Sequence, residues 1–422
     1  MPKAAAEKIL GRAAGKSVAA GDIVWPDPDL VTVHDYYVKN FAAALDSLGV
    51  SRVFDPDRVL ISTDHEPIAV TQDGANRQKL VREIAERYGI NRFYDAGRGG
   101  LGHVFPIEDG LVWPGQLVLG YDTHVTNFGA VGSLGIALVV EISEVMATGT
   151  VWVKVPETVR VDLRGQLSRG VSIRDVAQKL ISILSADQVD YAVVEFGGPG
   201  LAGIGIEGRM TLCNTPCELG AKSALVEVDD LALEYLRARI ERPIEPLNSD
   251  PDCRYSFRSE VDLSEIVPQV AVPPMPDLAH DVGELIGKRI HHAFIGSCAS
   301  GMLQDLRDAA TTLKGKKVHP SVRMYVTPAS QRIAAAAARE GLLEIFVEAG
   351  AMITAPGCGV CAGGRIGPLA DGEVSINTGT RNDFGRLGSE HAEIYLASPM
   401  TVAASAVAGA ISDPRELVED MT

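Results

Sequence analysis

The feature that most constrains the fold is the alternation of short apolar runs with amphipathic helical patterns along the chain. The apolar runs predict buried strands at 58–62, 117–120, 192–195 and 293–296. Helical periodicity is seen at 73–88, 172–184, 330–340 and 399–409. Most of the strands run directly into Gly, Ser, Thr or Asp. This alternation predicts an α/β fold with mainly parallel sheets, whose ligands gather at the carboxyl ends of the strands.

The length of the chain and two changes in its composition indicate several domains. With 422 residues the chain is too long for one ordinary hydrophobic core. Near Pro156 a glycine-rich region gives way to a charged strand and turn pattern, and the segment 267–276 contains four prolines, as semi-rigid linkers do. We therefore predict three α/β domains, at residues 1–157, 158–275 and 276–422.

Composition excludes several classes of protein. Hydrophobic residues make up 46% of the chain and charged residues 22%, which is typical of globular proteins and not of disordered ones. A net charge of −16 argues against a nucleic-acid-binding surface, which needs clustered Lys and Arg. The N-terminal segment has no apolar core of a secretion signal, and the most apolar stretch, 131–145, is interrupted by Glu141 and Glu144. We expect a cytoplasmic protein with neither a nucleic-acid nor a membrane partner.

Three of the six cysteines stand beside or close to glycine, where backbone can approach a bound object. These are Cys298 in Ile-Gly-Ser-Cys, and Cys358 and Cys361 in Pro-Gly-Cys-Gly-Val-Cys. The pair alone could be half of a zinc site, a redox dithiol or a chance pair, and Cys298 alone could be a buried apolar residue. Zinc usually takes four Cys or His ligands, and no second Cys-x-x-Cys or spaced His pair stands nearby. Three thiolates would leave one iron of a four-iron cluster without a protein ligand, and such an iron acts as a Lewis acid.

Three further segments carry residues suited to proton transfer. Asp64 and His65 follow the first predicted strand, where a buried Asp-His pair can orient an imidazole as a proton donor, although a surface turn is the alternative. His103, and the run Asp122, Thr123 and His124, lie among glycines that describe a loop around a ligand, although either His could be a core residue.

Two more segments carry candidate polar contacts for a ligand. Asn214 and Glu218 are four residues apart and would share one face of a helix, with Cys213 and Cys217 interpreted as packing residues. Arg381 and Arg386 could clamp carboxylates, or they could be two surface arginines in a turn.

The order and spacing of these segments resemble the aconitase superfamily, especially the large subunits of 3-isopropylmalate dehydratase and homoaconitase. Ile-Gly-Ser-Cys is followed roughly sixty residues later by Pro-Gly-Cys-x-x-Cys, and the resemblance continues along nearly the entire chain in the family's order. It implies an aconitase-like fold of three α/β domains around an iron–sulfur cluster. It also implies that Cys298, Cys358 and Cys361 hold a [4Fe-4S] cluster whose fourth iron binds the hydroxyl and a carboxylate of the substrate.

The resemblance also implies roles for the other residues. Asp64 and His65 would help to protonate the departing hydroxyl. A second group would orient water and substrate at the cluster, namely His103, Asp122, Thr123, His124, Asn214 and Glu218. Arg381 and Arg386 would hold carboxylate, and Asn40 would stand in the place of a family Gln that contacts substrate. The implied activity is that of a hydro-lyase, which dehydrates and rehydrates, and in some members isomerises, a 2- or 3-hydroxy di- or tricarboxylic acid of the isopropylmalate or homoaconitate type.

The chain departs from the family pattern in three places. The family's Cys-Thr-Asn is here Cys298, Ala299 and Ser300, the Asn before the first arginine is Thr380, and Asp383 and Phe384 stand where the pattern expects an aromatic first. These differences bear on substrate identity more than on cluster binding. They leave open an alternative activity as a dehydratase of a smaller diacid, such as 2,3-dimethylmalate or citramalate.

The family's catalytic serine lies on a separate swivelling domain, and the segment after Arg386 holds only a strand and a helix. We therefore predict a heteromer in which a small swivel-domain subunit completes the enzyme, and a large subunit that is inactive alone. Two alternatives come from other classes. One is an RNA-binding regulator that senses the cluster, against which the acidic charge argues. The other is an electron-transfer protein, which would usually need a fourth cysteine.

Overall fold

The computed structural model describes residues 1–418, so the last four residues of the predicted third domain lie outside the described residues. The strands are β1 (Ile23–Val24), β2 (Leu30–His34), β3 (Val59–Ser62), β4 (Arg92–Tyr94), β5 (Leu117–Gly120), β6 (Leu134–Ala137), β7 (Val153–Lys154), β8 (Thr158–Arg164), β9 (Val193–Gly197), β10 (Ser223–Val226), β11 (Phe257–Asp262), β12 (Gln269–Ala271), β13 (Ala279–Asp281), β14 (His292–Ile295), β15 (Arg323–Val326), β16 (Met352–Ile353), β17 (Val374–Asn377) and β18 (Glu393–Ala397).

The helices are α1 (Ala5–Ala13), α2 (Asp35–Ser47), α3 (Gln72–Arg87), α4 (Phe105–Glu108), α5 (Ile142–Thr148), α6 (Ile173–Ile183), α7 (Ala186–Val189), α8 (Ile206–Asn214), α9 (Asp230–Arg237), α10 (Ser297–Ser300), α11 (Leu303–Leu313), α12 (Gln331–Arg339), α13 (Leu342–Ala349), α14 (Pro399–Ala408) and α15 (Arg415–Val418). The four helices predicted from periodicity are confirmed as α3, α6, α12 and α14. The four predicted strands are confirmed as β3, β5, β9 and β14. Within the described part of the chain, no helix is both long and apolar enough to cross a bilayer.

The chain divides into two compact units. The first comprises Met1–Leu163 and Ala186–Val261, and the second comprises Arg164–Ser185 and the described residues from Asp262 onward. The division into three domains therefore stays a prediction.

The central sheet of the first unit is parallel throughout, with strand order β4-β3-β2-β5-β6. The chain moves outward from β2 to β3 and β4, then returns to the other side of β2 for β5 and β6. The carboxyl ends of β2 and β5 therefore lie at the switch point of the sheet, where open α/β sheets bind their ligands. Helices α2 and α3 bury Phe41 and Val81 in the core that covers this sheet.

Two smaller sheets complete the first unit. One has the order β10-β9-β8-β11, in which β10, β9 and β8 run parallel. The other is a two-stranded antiparallel ribbon of β1 and β7. The predicted fold class, an α/β protein with several mainly parallel sheets, is confirmed.

The second unit contains a seven-stranded sheet of order β13-β12-β18-β17-β14-β15-β16. The five strands from β18 to β16 are parallel, whereas β12 runs antiparallel to both of its neighbours. The chain again moves outward, from β14 to β15 and β16, and then returns to β17 and β18. The switch point of this sheet consequently lies between β14 and β17.

Candidate active site

The carboxyl ends of β2, β3 and β5 bring most of the predicted polar residues of the first unit together. His34 ends β2, Asp64 and His65 follow β3, and Asp122 and His124 follow β5. His103 joins them from the segment between β4 and α4, because its ring lies 4.3 Å from that of His34. Parallel strands end at the same edge, so residues far apart in the sequence meet at the switch point.

Asp64 lies at the centre of this group and bonds to two imidazoles. Its Oδ2 accepts hydrogen bonds from His34 Nδ1 at 2.8 Å and from the Gly102 backbone N–H at 2.7 Å. Its Oδ1 accepts one from His65 Nδ1 at 3.0 Å. Burial raises the pKa of Asp64, but the charge and hydrogen bond of His34, with those of His65, outweigh burial and hold the pKa well below its usual value. Asp64 is therefore an ionised carboxylate in the interior.

His65 is held in its charged form by the carboxylates around it. Burial lowers its pKa, but the hydrogen bond and charge of Asp64 and the charges of Asp35 and Asp122 raise the pKa to about 9. Its Nδ1–H is committed to Asp64, so the proton on Nε2 is the one that it can give. Its side chain is 14% exposed, so this proton donor can be reached from outside the core. The position and protonation of His65 suit the predicted acid.

His103 differs from His65 although the two lie in one network. Burial first, and then the charge of His34, lower the pKa of His103 to about 4, so the ring is neutral at pH 7. Its Nε2 lies 3.2 Å from Asp122 Oδ1. Burial raises the pKa of Asp122, but the bonds and charges of His103 and His124 outweigh burial and hold that pKa well below its usual value. The site thus holds one charged and one neutral imidazole beside ionised carboxylates.

His124 links the sheet edge to the segment after α8. Its Nδ1 lies 3.1 Å from Asp122 Oδ1, and its Nε2 lies 2.9 Å from Glu218 Oε1. Asn214 is fully buried, and its Nδ2 donates to Asn127 Oδ1 at 2.8 Å. The structure therefore gathers His124, Glu218 and Asn214 within one unit, as the sequence predicts.

Asn214 and Glu218 do not share the face of one helix. Helix α8 ends at Asn214, and a 3-10 helix at Pro216–Leu219 carries Glu218. A proline at this point has no N–H to continue the α-helical ladder, so the helix ends before it. Cys213 is fully buried, which confirms its packing role, whereas Cys217 is only partly buried and lies beside His124 and Glu218.

The remaining two predicted residues of this unit lie at the edge of the group. Asn40 is exposed on α2 and reaches the Tyr121 hydroxyl only at 3.5 Å. Thr123 is partly exposed at the start of a 3-10 helix at Thr123–Val131. The structure therefore leaves both accessible to a ligand.

Sequence reasoning missed His34, which is fully buried and bonded to Asp64. The signal was present, because His34 is a polar residue at the carboxyl end of a buried strand, as Asp64 is. The strands predicted from apolar runs begin at 58, so they do not include β2 and its last residue.

In the second unit the three cysteines come from two short helices that contact each other. Cys298 lies on α10 after β14, and Cys361 ends the 3-10 helix Gly359–Cys361, which Cys358 precedes. Metals bind cysteine as the thiolate. A soft donor set of three thiols fits an iron–sulfur cluster, and the predicted position of Cys298 after a strand is confirmed.

Two glycines allow the cysteine loops to pack closely. A Cβ on Gly359 would lie 2.3 Å from Thr327 Oγ1, and Gly359 also has a left-handed φ of 59°. A Cβ on Gly296 would lie 2.6 Å from the ring of Phe294 and 3.0 Å from Thr327. Only glycine fits at these positions, because the neighbouring atoms are close and buried.

Ser297, immediately before Cys298, has a strained backbone that hydrogen bonds hold in place. Its φ is 74°, which is uncommon for a residue with a side chain. Its Oγ donates to the Thr378 carbonyl at 2.8 Å, and the Gly296 N–H donates to Thr378 Oγ1 at 2.9 Å. The turn that presents Cys298 is therefore fixed to the end of β17.

The structure also places the departures from the family pattern. Ala299 and Ser300 are fully buried, and the Ser300 hydroxyl donates to the Ala299 carbonyl at 2.6 Å. Thr380 is buried with its Oγ1 3.9 Å from Cys361 Sγ. Thr380 thus contacts a candidate cluster ligand.

Arg381 and Arg386 lie on the loop that follows β17, and both are partly buried. This loop is anchored at Asn382, whose Nδ2 donates to the Val272 carbonyl at 2.9 Å. Arg174 of α6 donates to the Gly379 carbonyl at 2.7 Å. Because β17 adjoins β14, the two arginines and Cys298 follow neighbouring parallel strands.

Residues 8–409 match the model of the aconitase family (aconitate hydratase). The chain therefore belongs to the aconitase family, whose members bind iron–sulfur clusters, and the resemblance stated from the sequence is confirmed.

Two relatives illustrate the similarity. The chain is 41% identical over 416 residues to 3-isopropylmalate dehydratase large subunit 1 of Methanopyrus kandleri, covering 98% of this chain and 99% of that one. It is 42% identical over 422 residues to the homoaconitase large subunit of Thermus thermophilus, covering 100% and 99%. A crystal structure of aconitase X from Thermococcus kodakaraensis in its holo form aligns with a TM-score of 0.46 at 14% identity, covering 89% of each chain.

Proposed function

We propose that this chain is the large subunit of a [4Fe-4S]-dependent hydro-lyase acting on a hydroxy acid of the isopropylmalate or homoaconitate type. The observation that carries the proposal is Asp64, an ionised buried carboxylate that holds His34 and His65 at the switch point of the sheet. Relatives named for 3-isopropylmalate dehydratase and homoaconitase share about two fifths of their residues with this chain over nearly full length.

Cys298, Cys358 and Cys361 would hold the cluster. When bound, a cluster with three thiolate ligands supplies an iron with an open position, which is a Lewis acid for a hydroxyl group. Three cysteines on or beside two contacting short helices, with glycine at 296 and 359, support this assignment.

The first unit supplies the proton chemistry. His65 Nε2–H would donate to the departing hydroxyl, and Asp64 would keep the imidazole charged and oriented. His103 would stay neutral and fix Asp122, while His124 and Glu218 would share a proton across their 2.9 Å contact and orient the water or hydroxyl of the substrate. In the reverse direction His65 would accept the proton from water.

The carboxylates of the substrate require cationic and amide donors. Arg381 and Arg386 would bind carboxylate, since guanidinium groups pair with it through two parallel hydrogen bonds. Asn40 and Thr123 are accessible and would add hydrogen bonds. Asn214 is buried and bonded to Asn127, so it would act by holding the segment of Glu218 in place.

A small swivel-domain subunit would complete the enzyme. The relatives are named large subunits, which implies a smaller partner. By the sequence resemblance, that partner would provide the serine that removes the carbon-bound proton.

The positions of the departures favour the isopropylmalate or homoaconitate type over a smaller diacid. Ala299 and Ser300 are buried, so they do not offer side chains to a substrate, and Thr380 faces a cysteine sulfur. Ala299, Ser300 and Thr380 therefore act on the surroundings of the cluster, whereas Asp383 and Phe384 are exposed.

The test is reconstitution of the chain with iron, sulfide and its small subunit, followed by turnover of isopropylmalate, homoaconitate, citramalate and 2,3-dimethylmalate. We expect the highest kcat/KM for one of the first two. Cys358→Ser should abolish turnover and lower iron and sulfide content, while the matched Cys253→Ser keeps both. Retention of cluster and activity by Cys358→Ser would refute the proposal.

A further inference from the structure

The Cys217 thiol lies beside His124 and Glu218, so three kinds of metal-binding side chain meet at this point. One ligand atom from each of the three side chains lies within 4.8 Å of the other two. Cys217 and Glu218 are neighbours on the 3-10 helix Pro216–Leu219, and His124 comes from the 3-10 helix after β5. Nitrogen, sulfur and carboxylate oxygen therefore converge from two segments of the first unit.

The protons of this group show where a cation would sit. His124 Nδ1 lies 3.1 Å from Asp122 Oδ1, where an Nδ1–H can donate to the carboxylate. On the other side of the ring, Nε2 and Glu218 Oε1 are 2.9 Å apart, which requires a proton between them. The Cys217 thiol donates to the Asn214 carbonyl at 3.1 Å. A metal ion can replace both the shared proton and the thiol proton.

The surroundings of His124 match those of metal-binding histidines. A ligating imidazole typically donates its other N–H to a carboxylate, which fixes the ring and raises its basicity. Asp122 stands in this position toward His124 and also accepts the His124 backbone N–H at 3.0 Å. The side chains of His124 and Glu218 are 10% and 5% exposed, so a coordinated ion would be largely shielded from water.

We propose that His124, Cys217 and Glu218 form a second metal site that takes a divalent d-block cation such as Zn²⁺ and thereby inhibits the enzyme. The ion would bond to His124 Nε2, the Cys217 thiolate and a Glu218 oxygen, with water as a fourth ligand. Two protons leave to solvent when the ion binds, so affinity rises with pH. Zinc accepts this mixed set of ligands, whereas Mg²⁺ and Ca²⁺ prefer oxygen alone. The inhibition rests on the proposed function, because the ion would withdraw His124 and Glu218 from the substrate.

The site is tested on the full chain with its cluster assembled, so that the cluster cysteines are occupied. Zinc bound per chain is measured by equilibrium dialysis against ZnCl₂ for the unsubstituted chain, Cys217→Ser and the matched Cys253→Ser, with iron content recorded throughout. We expect one zinc bound by the unsubstituted chain and by Cys253→Ser. In Cys217→Ser the affinity should fall more than about tenfold, since even the loss of a residue that only supports a ligand costs 10- to 100-fold.

Inhibition is measured separately, with the small subunit present. Zinc should inhibit the unsubstituted enzyme reversibly on addition of EDTA, and Cys217→Ser should keep its activity while losing sensitivity to zinc. Equal zinc binding by Cys217→Ser and the unsubstituted chain would overturn the site. If no preparation turns over a hydroxy acid, the proposed function fails, yet the zinc count still decides the site.

Discussion

Two histidines of the same network have opposite charge states, and their partners explain why. His65 faces three carboxylates that outweigh its burial, and its pKa is raised to about 9. His103 is buried with the His34 ring 4.3 Å away, and its pKa falls to about 4. Groups whose pKa values are pushed apart in this way mark the division between proton donor and neutral hydrogen-bonding partner.

The pH dependence of activity should follow His65. As the acid, it is active while protonated, so kcat/KM should fall as pH rises through about 9. Asp64→Asn removes the hydrogen-bonded charge, which should move the pKa of His65 toward about 6.5 and shift the alkaline limb to lower pH. At pH 8 we expect kcat/KM to fall on the order of 10²-fold. The measurement is the pH profile of kcat/KM in the reconstituted enzyme.

Asp95→Asn is the control for this substitution, because Asp95 follows β4 at the same sheet edge and bonds to Arg82 and Thr63. Its alkaline limb should match that of the unsubstituted enzyme. An unchanged limb in Asp64→Asn would show that His65 is not the acid.

Residues in recognisable segments could be predicted from the sequence, whereas partnerships through space could not. Asp64, His65 and Glu218 stand in segments whose order resembles a family. The role of His34 depends on its hydrogen bond to Asp64. Asp64 is thirty residues away along the chain, and the pairing of β2 with β3 brings the two together. Nothing in the sequence places Cys217 beside His124, so the sequence alone predicts a packing residue there.

His34 should matter for stability as well as for the charge on Asp64. His34→Leu leaves the buried Asp64 carboxylate without one of its hydrogen-bond donors, which costs about 3 kcal/mol. His34→Gln keeps an N–H donor and should cost less. The measurement is urea unfolding followed by tryptophan fluorescence, because Trp25, Trp113 and Trp152 all lie in the first unit. Equal stability of the leucine and glutamine variants would contradict a role for the hydrogen bond to Asp64.

At the scale of elements, the regular helices and strands were predictable because hydrophobic periodicity is local. Helix α3 begins and ends within one residue of its predicted bounds. The short elements that carry function were not predictable in this way. Pro216 divides what the spacing of Asn214 and Glu218 suggested was one helix, and tertiary hydrogen bonds hold Ser297 in the left-handed region.

The helix that carries Cys361 should tolerate no side chain at Gly359. In Gly359→Ala the new methyl group would overlap Thr327 Oγ1, so the loop with Cys358 and Cys361 must move away. We expect lower iron and sulfide per chain after reconstitution, measured with the visible absorbance of the cluster.

Gly363→Ala is the matched control for Gly359→Ala. Gly363 also has a left-handed φ, of 71°, but no atom lies within 4 Å of its Cβ position. It therefore shares the backbone strain without the collision and should keep more of the cluster. Equal cluster content in both variants would show that the close approach to Thr327 does not position the cysteines.

At the scale of the whole molecule, the two units share one strand order, and each places its candidate functional residues at strand ends. The order β4-β3-β2-β5-β6 in the first unit corresponds to β16-β15-β14-β17-β18 in the second. His34 ends β2, which comes first along the chain among the five strands of its set. Cys298 follows β14, which comes first among the five corresponding strands. No repeat is evident in the sequence, because each topology is specified by buried apolar runs that many residues satisfy, and the polar residues at the strand ends differ.

The two subunits are expected to carry different catalytic groups. The proposed roles give this chain the cluster and the proton donor, while the base that removes the carbon-bound proton is expected on the small subunit. The reconstituted chain alone should therefore contain iron and sulfide without measurable dehydration, and turnover should rise in proportion to added small subunit until it saturates. The dependence is measured by titrating the small subunit against activity. The mass of the complex is measured by size-exclusion chromatography with light scattering. Cys358→Ser should still form the complex but remain inactive, because it removes one expected cluster ligand and leaves the rest of the chain unchanged. Turnover by the chain alone at the rate of the complex would place the base among its own residues.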